Sequence, residues 1–243
     1  MNLVIDIGNS TIKYAVFQDN ACIMHLTADF DSCDELKSIL SEYDIDYAIA
    51  SCVATPPKHF QTTLEELPHP LLLLDSSTRL PIEIRYKTPQ TLGADRIAAA
   101  VGAWADHKGN DLLIIDMGTC ITYDILTRDN IYIGGNIAPG IEMRLKAMHE
   151  HTARLPEIHT PASWTAQIGG STEEAMLAGT LWGIKYEMEG YISALQAKNP
   201  RMRIILTGGD SELLRKHLDT NILHDNMLVE KGLNTILEYN KKQ

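Results

Sequence analysis

The chain has 243 residues, of which 44% are hydrophobic, and a formal net charge of −11. This length suits one large domain or two of ordinary size, with enough apolar residues for a sizeable core. The acidic balance argues against nucleic acid as a partner. Apolar runs all fall short of the roughly 20 residues of a membrane span, and the first one follows no basic segment of the signal-peptide kind. We therefore expect a cytoplasmic protein without a membrane partner.

Apolar and turn residues in the first half predict three strands, a helix, a strand, a helix and a strand. The predicted strands are Leu3–Asp6, Ile12–Gln18, Ala21–Thr27, Asp46–Val53 and Leu71–Leu74, and the helices are Cys33–Tyr43 and a segment from Pro56-Pro57 towards Leu67. A nearly uncharged helix then runs from Gly93-Ala94 through Trp104.

The second half begins with the same order of elements. Its predicted strands are Leu112–Asp116, Ile121–Leu126, Ile131–Asn136 and Arg203–Thr207, and its helices are a segment from Gly140 onward, Thr172–Ala194, Leu213–Leu218 and Gly232–Tyr239. The halves meet near Lys108-Gly109-Asn110, which predicts domains at 1–110 and 111–243.

The four cysteines do not form a metal or disulfide pattern. Cys22, Cys33, Cys52 and Cys120 are scattered without CxxC spacing. Without an export signal, this distribution indicates buried or free thiols rather than a zinc site.

One motif occurs twice, 110 positions apart. Asp6-Ile7-Gly8 and Asp116-Met117-Gly118 each end an apolar strand and precede small hydroxyl or amide residues. Such a strand end places a carboxylate, a flexible backbone point and hydrogen-bond donors together, as a phosphate chain with its metal requires. A plain hairpin turn at Gly8-Asn9 is the alternative, but the repeated carboxylate favours a duplicated nucleotide-binding domain.

Gly93-Ala94-Asp95-Arg96 opens the uncharged helix and places a carboxylate and a guanidinium in its first turn. There Asp95 could accept a proton from a hydroxyl, while Arg96 and the free N–H groups hold an anionic group. The alternative is an acidic helix cap with a solvated arginine.

Two glycine-containing segments are weaker indications of a nucleotide-binding site. Gly134–Gly140 and Thr207-Gly208-Gly209-Asp210 each lead from a strand into a helix. Their glycines permit close backbone approach to a nucleotide, or they are loops that need unusual dihedral angles.

Together these segments, in this order and spacing, resemble the type III pantothenate kinases of the acetate and sugar kinase/Hsp70/actin superfamily. The resemblance implies an α/β fold of two ribonuclease-H-like domains, duplicated βββαβαβα units with a central cleft. It also implies phosphorylation of pantothenate by ATP to 4′-phosphopantothenate, the first step of coenzyme A biosynthesis.

The resemblance further implies residue roles. Asp95 would be the catalytic proton acceptor. The ATP-binding residues would be Asp6, Ile7, Gly8, Asn9, Ser10, Thr11, Ile12, Lys13 and Thr119. The pantothenate-binding residues would be Tyr86, Gly93, Ala94, Asp95, Arg96 and Thr172.

A monovalent cation and a second subunit are also implied by the family. Asp116 would bind the monovalent cation, K⁺ or NH₄⁺. Phosphoryl transfer from ATP also calls for Mg²⁺, for which the Asp6 carboxylate is the candidate anchor. The family forms homodimers. The apolar stripe Leu177, Leu181, Ile184 and Met188 on the long predicted helix is then a pairing surface, or alternatively part of a domain core.

Other functions remain open at this point. Another small-molecule kinase of the superfamily, acting on a sugar or acetate, is the nearest alternative, although such chains are usually longer and several carry zinc-type cysteine motifs. A polyphosphate phosphohydrolase is a second. The third is a catalytically silent nucleotide-binding regulator, against which Asp6, Asp95, Arg96 and Asp116 argue together with the lack of a helix-turn-helix pattern.

Overall fold

The computed structural model describes residues 1–30, 34–53, 58–65, 67, 70–163, 166–218 and 221–241. Strands and helices alternate through them, which confirms the predicted α/β class. The strands are β1 (Asn2–Ile7), β2 (Thr11–Gln18), β3 (Ala21–Asp29), β4 (Tyr47–Cys52), β5 (Leu71–Leu73), β6 (Glu83–Ile84), β7 (Leu112–Met117), β8 (Cys120–Leu126), β9 (Ile131–Pro139), β10 (Arg203–Thr207) and β11 (Ile222–His224). The helices are α1 (Asp34–Glu42), α2 (Lys58–Glu65), α3 (Ala94–Asp106), α4 (Ile141–Glu150), α5 (Thr172–Lys198), α6 (Ser211–Arg215) and α7 (Leu228–Lys241).

The predicted elements are recovered with shifted ends. Strands β6 and β11 were not predicted, because two or three residues are too few for a periodic pattern. The expected helix starts at Cys33 and at Pro56-Pro57 lie outside the described residues. Cys22, Cys52 and Cys120 are free thiols, as expected, and Cys33 is again outside. In the described ranges, no helix is both long and apolar enough to cross a membrane.

The first sheet has five strands in the order β3-β2-β1-β4-β5. Its central strand β1 is buried along its whole length, antiparallel to β2 and parallel to β4. Leu3, Ile5 and Ile7 point into a core with α1 and α2. Alternation places Asp6 on the opposite face, where α7 packs against β1 and β2.

The second sheet repeats this order. Its strands run β11-β10-β7-β8-β9-β6, so β9-β8-β7-β10-β11 corresponds to β3-β2-β1-β4-β5, and β6 is an addition beside β9. The duplication expected from the repeated Asp-x-Gly motif is therefore present in the strand topology. Within this core, Leu181, Ile184 and Met188 of α5 are fully buried, and the fourth residue of the stripe, Leu177, is half-buried against them, so the stripe belongs mainly to a domain core.

The chain divides into two compact units. The first comprises Met1–Gly109, Leu126–Gly134 and Met227–Gln243, and the second comprises Asn110–Ile125 and Gly135–Asn226. The division into sequence domains 1–110 and 111–243 stays a prediction.

Helices α3 and α7 of the first unit cross with their backbones in contact. A Cβ added to Gly102 of α3 would collide with the carbonyl oxygen of Leu228, and one added to Gly232 of α7 would collide with that of Ala98. Glycine at these two positions therefore sets how closely the helices approach.

Replacing Gly102 with alanine is expected to lower the free energy of unfolding by about 1–3 kcal/mol, because the added methyl group forces the two backbones apart. Gly190→Ala in the exposed part of α5 is the matched control, since nothing lies within 4 Å of its added Cβ. The control is expected to leave stability unchanged or raise it by up to about 1 kcal/mol. Urea unfolding measures the free energy of unfolding of both variants. Equal changes in Gly102→Ala and Gly190→Ala would contradict the close contact between α3 and α7.

Candidate active site

Asp6 lies at the end of the central strand of the first sheet and is 9% exposed. It pairs in register with Ser51 of β4, whose Oγ donates a hydrogen bond of 2.6 Å to Asp6 Oδ1. Burial raises the pKa of Asp6 to about 6. The Ser51 hydrogen bond and Lys13 oppose this rise, while the carboxylates of Glu230 and Asp95 add to it. Asp6 and Asp95 are thus near enough to interact.

The residues after Asp6 form a tight turn between β1 and β2. Gly8 N–H donates to the Thr11 carbonyl oxygen at 3.0 Å, and the side chains of Asn9 and Ser10 are exposed. Ile7 and Ile12 point into the core, so among the predicted ATP-binding residues these two can offer only backbone groups. Their neighbour Lys13 lies directly opposite Asp6 across the two strands.

Asp95 occupies the first turn of α3, as predicted. Its Oδ1 accepts a hydrogen bond of 2.8 Å from the Arg96 N–H. A Cβ on Gly93 would collide with this carboxylate oxygen, so the glycine leaves room for the Asp95 side chain. Arg96 is only 6% exposed, and the alternative of a solvated arginine is therefore wrong.

Tyr86 stands beside Arg96. The guanidinium carbon lies 5.9 Å from the centre of the Tyr86 ring, within cation–π range, and the ring meets Tyr132 edge-on at 6.2 Å. An added Cβ on Gly134, which has a φ of 123°, would lie 3.6 Å from the same ring. The structure thus brings Tyr86, Arg96 and the first glycine of the Gly134–Gly140 segment together.

Asp116 holds the position in β7 that Asp6 holds in β1. It is half-buried and pairs in register with Thr207 of β10, as Asp6 pairs with Ser51 of β4. Gly208 has a φ of 95°, and a Cβ there would collide with the Asp116 carboxylate. The Thr207–Asp210 segment therefore packs against the second Asp-x-Gly motif.

Thr119, on the turn after Asp116, is exposed. Its carbonyl oxygen accepts a hydrogen bond of 3.0 Å from Gly140 N–H, and a Cβ on Gly140 would collide with the Gly118 and Thr119 carbonyls. The end of the Gly134–Gly140 segment is thereby fixed to this turn.

Thr172 is the exposed first residue of α5. The preceding Ser171 caps the helix by accepting from Glu174 N–H at 3.2 Å, and Glu174 Oε2 accepts from Gly170 N–H at 2.7 Å. This capping arrangement explains why the helix begins here and presents Thr172 at its N-terminus.

The predicted residues fall into two groups, one in each compact unit. Asp6, Lys13, Tyr86, Asp95 and Arg96 are linked by contacts or charge interactions in the first unit. Asp116 and Thr119 share a turn in the second, where Thr172 also lies. Sequence reasoning missed Ser51 and Glu230; Ser51 could have been found as a polar residue ending an apolar strand, whereas Glu230 carries no such signal.

Comparison with known proteins decides the family. The sequence profile of the type III pantothenate kinases matches residues 2–194. A type III pantothenate kinase of Bacteroides fragilis is 44% identical over 240 residues, covering 99% of this chain and 98% of the relative. The chain belongs to the type III pantothenate kinase family.

Solved structures confirm the expected actin-like fold. The activator of 2-hydroxyisocaproyl-CoA dehydratase from Clostridium difficile is 9% identical with a TM-score of 0.57, covering 100% of this chain and 97% of that one. A ROK family glucokinase from Streptomyces griseus is 12% identical with a TM-score of 0.52, covering 100% and 99%. At these identities the likeness concerns the fold alone.

The donor atoms suit the cations expected of a pantothenate kinase. In the described ranges, no three His, Cys, Asp or Glu residues cluster as a metal site. Mg²⁺ in kinases needs no such cluster, because one or two carboxylates and the substrate phosphates hold it, so Asp6 could serve. Asp116 lies against the backbone of Gly208 and would contribute a carboxylate oxygen to a monovalent cation.

Asp6→Asn is expected to stabilise the metal-free protein at neutral pH. In the folded protein the pKa of Asp6 is about 6, whereas its ordinary value is 3.8. The folded state therefore holds this proton more tightly than the unfolded state, and the free energy of unfolding falls as the pH rises from about 4 to about 6. Asparagine does not titrate and can still accept from Ser51. Unfolding in urea with EDTA should show no gain at pH 4 and a gain of up to about 3 kcal/mol at pH 8. If the stability difference between Asp6→Asn and the wild type did not change with pH, the raised pKa of Asp6 would be contradicted.

Proposed function

We propose that this chain, as a pantothenate kinase, transfers the γ-phosphoryl group of ATP to the 4′-hydroxyl of pantothenate, with Asp95 accepting the hydroxyl proton. The observation that carries this assignment is the placement of Asp95 at the start of α3, next to buried Arg96 and near enough to Asp6 to affect its titration. Asp95 and Asp6 belong to the same compact unit, which supports the proposal that a proton acceptor lies near the ATP-binding segment.

The acceptor substrate would be held by the residues around Asp95. Pantothenate carries a carboxylate, and a buried guanidinium such as that of Arg96 is well suited to bind one. Tyr86 lies against Arg96 and would contact the substrate with it. Gly93 and Ala94 would contribute backbone groups at the helix N-terminus, and Thr172 a hydroxyl.

The phosphates of ATP would contact the Asp6–Lys13 segment and Thr119. In the reaction the pantothenate oxygen attacks the γ-phosphorus, its proton passes to Asp95, and ADP leaves. Alignment and charge stabilisation supply most of the rate in such transfers. Asp6 would hold Mg²⁺, which neutralises phosphate oxygens when bound, and Asp116 would hold K⁺ or NH₄⁺.

We also propose that the chain forms the homodimer expected from the resemblance. Three of the four residues of the α5 stripe are buried in the core, so the pairing surface would lie elsewhere. Ile137, Ile168 and Tyr186 of the second unit are 62%, 87% and 50% exposed, and they offer apolar area for such a contact.

ADP release in potassium buffer tests the activity. Release is expected to depend on added pantothenate and to be absent with hexoses or water alone. Asp95→Asn should lower kcat about 10²- to 10⁴-fold, since general base catalysis contributes that much, while the KM for ATP changes little. Asp106→Asn at the other end of α3 is the control and should retain activity. Turnover of Asp95→Asn at the wild-type rate would remove Asp95 from the role of base.

Exchanging cations tests Asp116. Replacing K⁺ by Na⁺ is expected to lower activity about tenfold or more, with NH₄⁺ restoring it, because the proposed site would be matched in size to the larger monovalent cations. In Asp116→Asn the rate should be low and should no longer respond to K⁺. Full activity of the wild type in buffer containing only sodium would contradict the assignment.

A further inference from the structure

Glu230 is a carboxylate in the interior of the first unit. It lies in the first turn of α7 and is 0% exposed. Its Oε1 lies 3.3 Å from His25 Nε2 and 3.6 Å from Lys13 Nζ. A helix that follows the catalytic segments by more than a hundred residues thus reaches the hairpin that carries the ATP-binding segment.

Burial opposes the ionisation of Glu230, but the His25 hydrogen bond and the charge of Lys13 hold the pKa of Glu230 below its usual value, so the carboxylate is ionised beside them. Taking a charge out of water is unfavourable, and buried ion pairs can often be replaced by apolar residues without loss of stability. The hydrogen bonding of Glu230 is also incomplete, because its Oε2 atom is buried without a hydrogen-bond partner among the described residues. A role for Glu230 is therefore to be sought in its effect on its cationic neighbours.

The strand register shows which neighbour matters for the reaction. Lys13 lies directly opposite Asp6, and directly opposed side chains on antiparallel strands point to the same face of the sheet. His25 is opposite Ala15, two residues along β2 from Lys13, so it shares that face. Helix α7 covers this face and brings Glu230 to it.

A lysine side chain has four rotatable bonds, and an ammonium group near carboxylates can adopt several positions. Asp6 is the carboxylate near Lys13 on the catalytic side, and Glu230 is the buried carboxylate behind it. A fixed anion on α7 restricts the ammonium group to the part of the face next to Asp6 before any nucleotide arrives. Restricting it in advance lowers the entropy lost on binding.

We propose that Glu230 is a positioning residue for ATP binding, which holds the Lys13 ammonium group ready for the phosphates. This inference rests on the proposed role of the Asp6–Lys13 segment in ATP binding. It makes α7 part of the nucleotide site although Glu230 itself touches no substrate.

Glu230→Gln tests the proposal, because it keeps the shape of the side chain and removes its charge. The KM for MgATP is expected to rise about five- to tenfold, while the KM for pantothenate stays within twofold. A general loss of structure would change both constants and the melting temperature. An unchanged or lowered KM for MgATP would overturn the proposal, since the carboxylate would then be idle or would compete with the phosphates for Lys13.

A matched control lies on the same helix. Glu238 Oε1 accepts hydrogen bonds of 2.7 Å from Asn2 at the start of β1 and from Lys241. Glu238→Gln therefore loosens α7 against the same sheet at the other end of β1. It should leave the KM for MgATP unchanged, and a rise equal to that of Glu230→Gln would make the effect one of helix packing.

A double-mutant cycle with Lys13→Met isolates the pair. In that background Glu230→Gln should have no further effect on the KM for MgATP, and an additive effect would overturn the proposal. If Lys13→Met alone leaves this KM unchanged, the positioning role of Glu230 is wrong. The proposed kinase activity, measured as pantothenate-dependent ADP release, is not contradicted by that result. If Glu230→Gln does not fold, Glu230→Asp, which withdraws the carboxylate from Lys13, is judged by the same criterion.

Discussion

The first unit depends on the backbone contact between α3 and α7 at Gly102 and Gly232. Helix α3 carries Asp95 and Arg96 at its start, and α7 carries Glu230 in its first turn. A side chain at either glycine would push the helices apart and move both sets of groups. Two residues without side chains thus determine how the charged ones are placed relative to each other.

The first turns of these two helices both carry a carboxylate that acts on Asp6. Burial raises the pKa of Asp6 to about 6, and the charges of Glu230 and Asp95 add to this rise. Burial and the neighbouring carboxylates both oppose the ionisation of Asp6, which by itself does not favour folding. Bound cations and a nucleotide would offset this cost. Groups with strongly shifted pKa values are often found at functional sites for this reason.

The two sheets share one local arrangement at the ends of their central strands. In each, the central strand ends in Asp-x-Gly, and the neighbouring parallel strand places a small hydroxyl residue opposite the aspartate, Ser51 in one case and Thr207 in the other. Gly208 packs directly against Asp116, and Asp6 accepts a hydrogen bond from Ser51.

The amino-acid order by itself determined the α/β class, the duplicated strand order and the family, because these rest on local periodicity and on short motifs whose residues are neighbours in the chain. It also located Asp6, Asp95 and Asp116. It left open whether Arg96 is solvated and whether the α5 stripe of Leu177, Leu181, Ile184 and Met188 is core or surface. Ser51, Glu230 and the glycine crossing were decided by the tertiary structure alone, since strand register and helix packing join residues 45 to more than 200 positions apart.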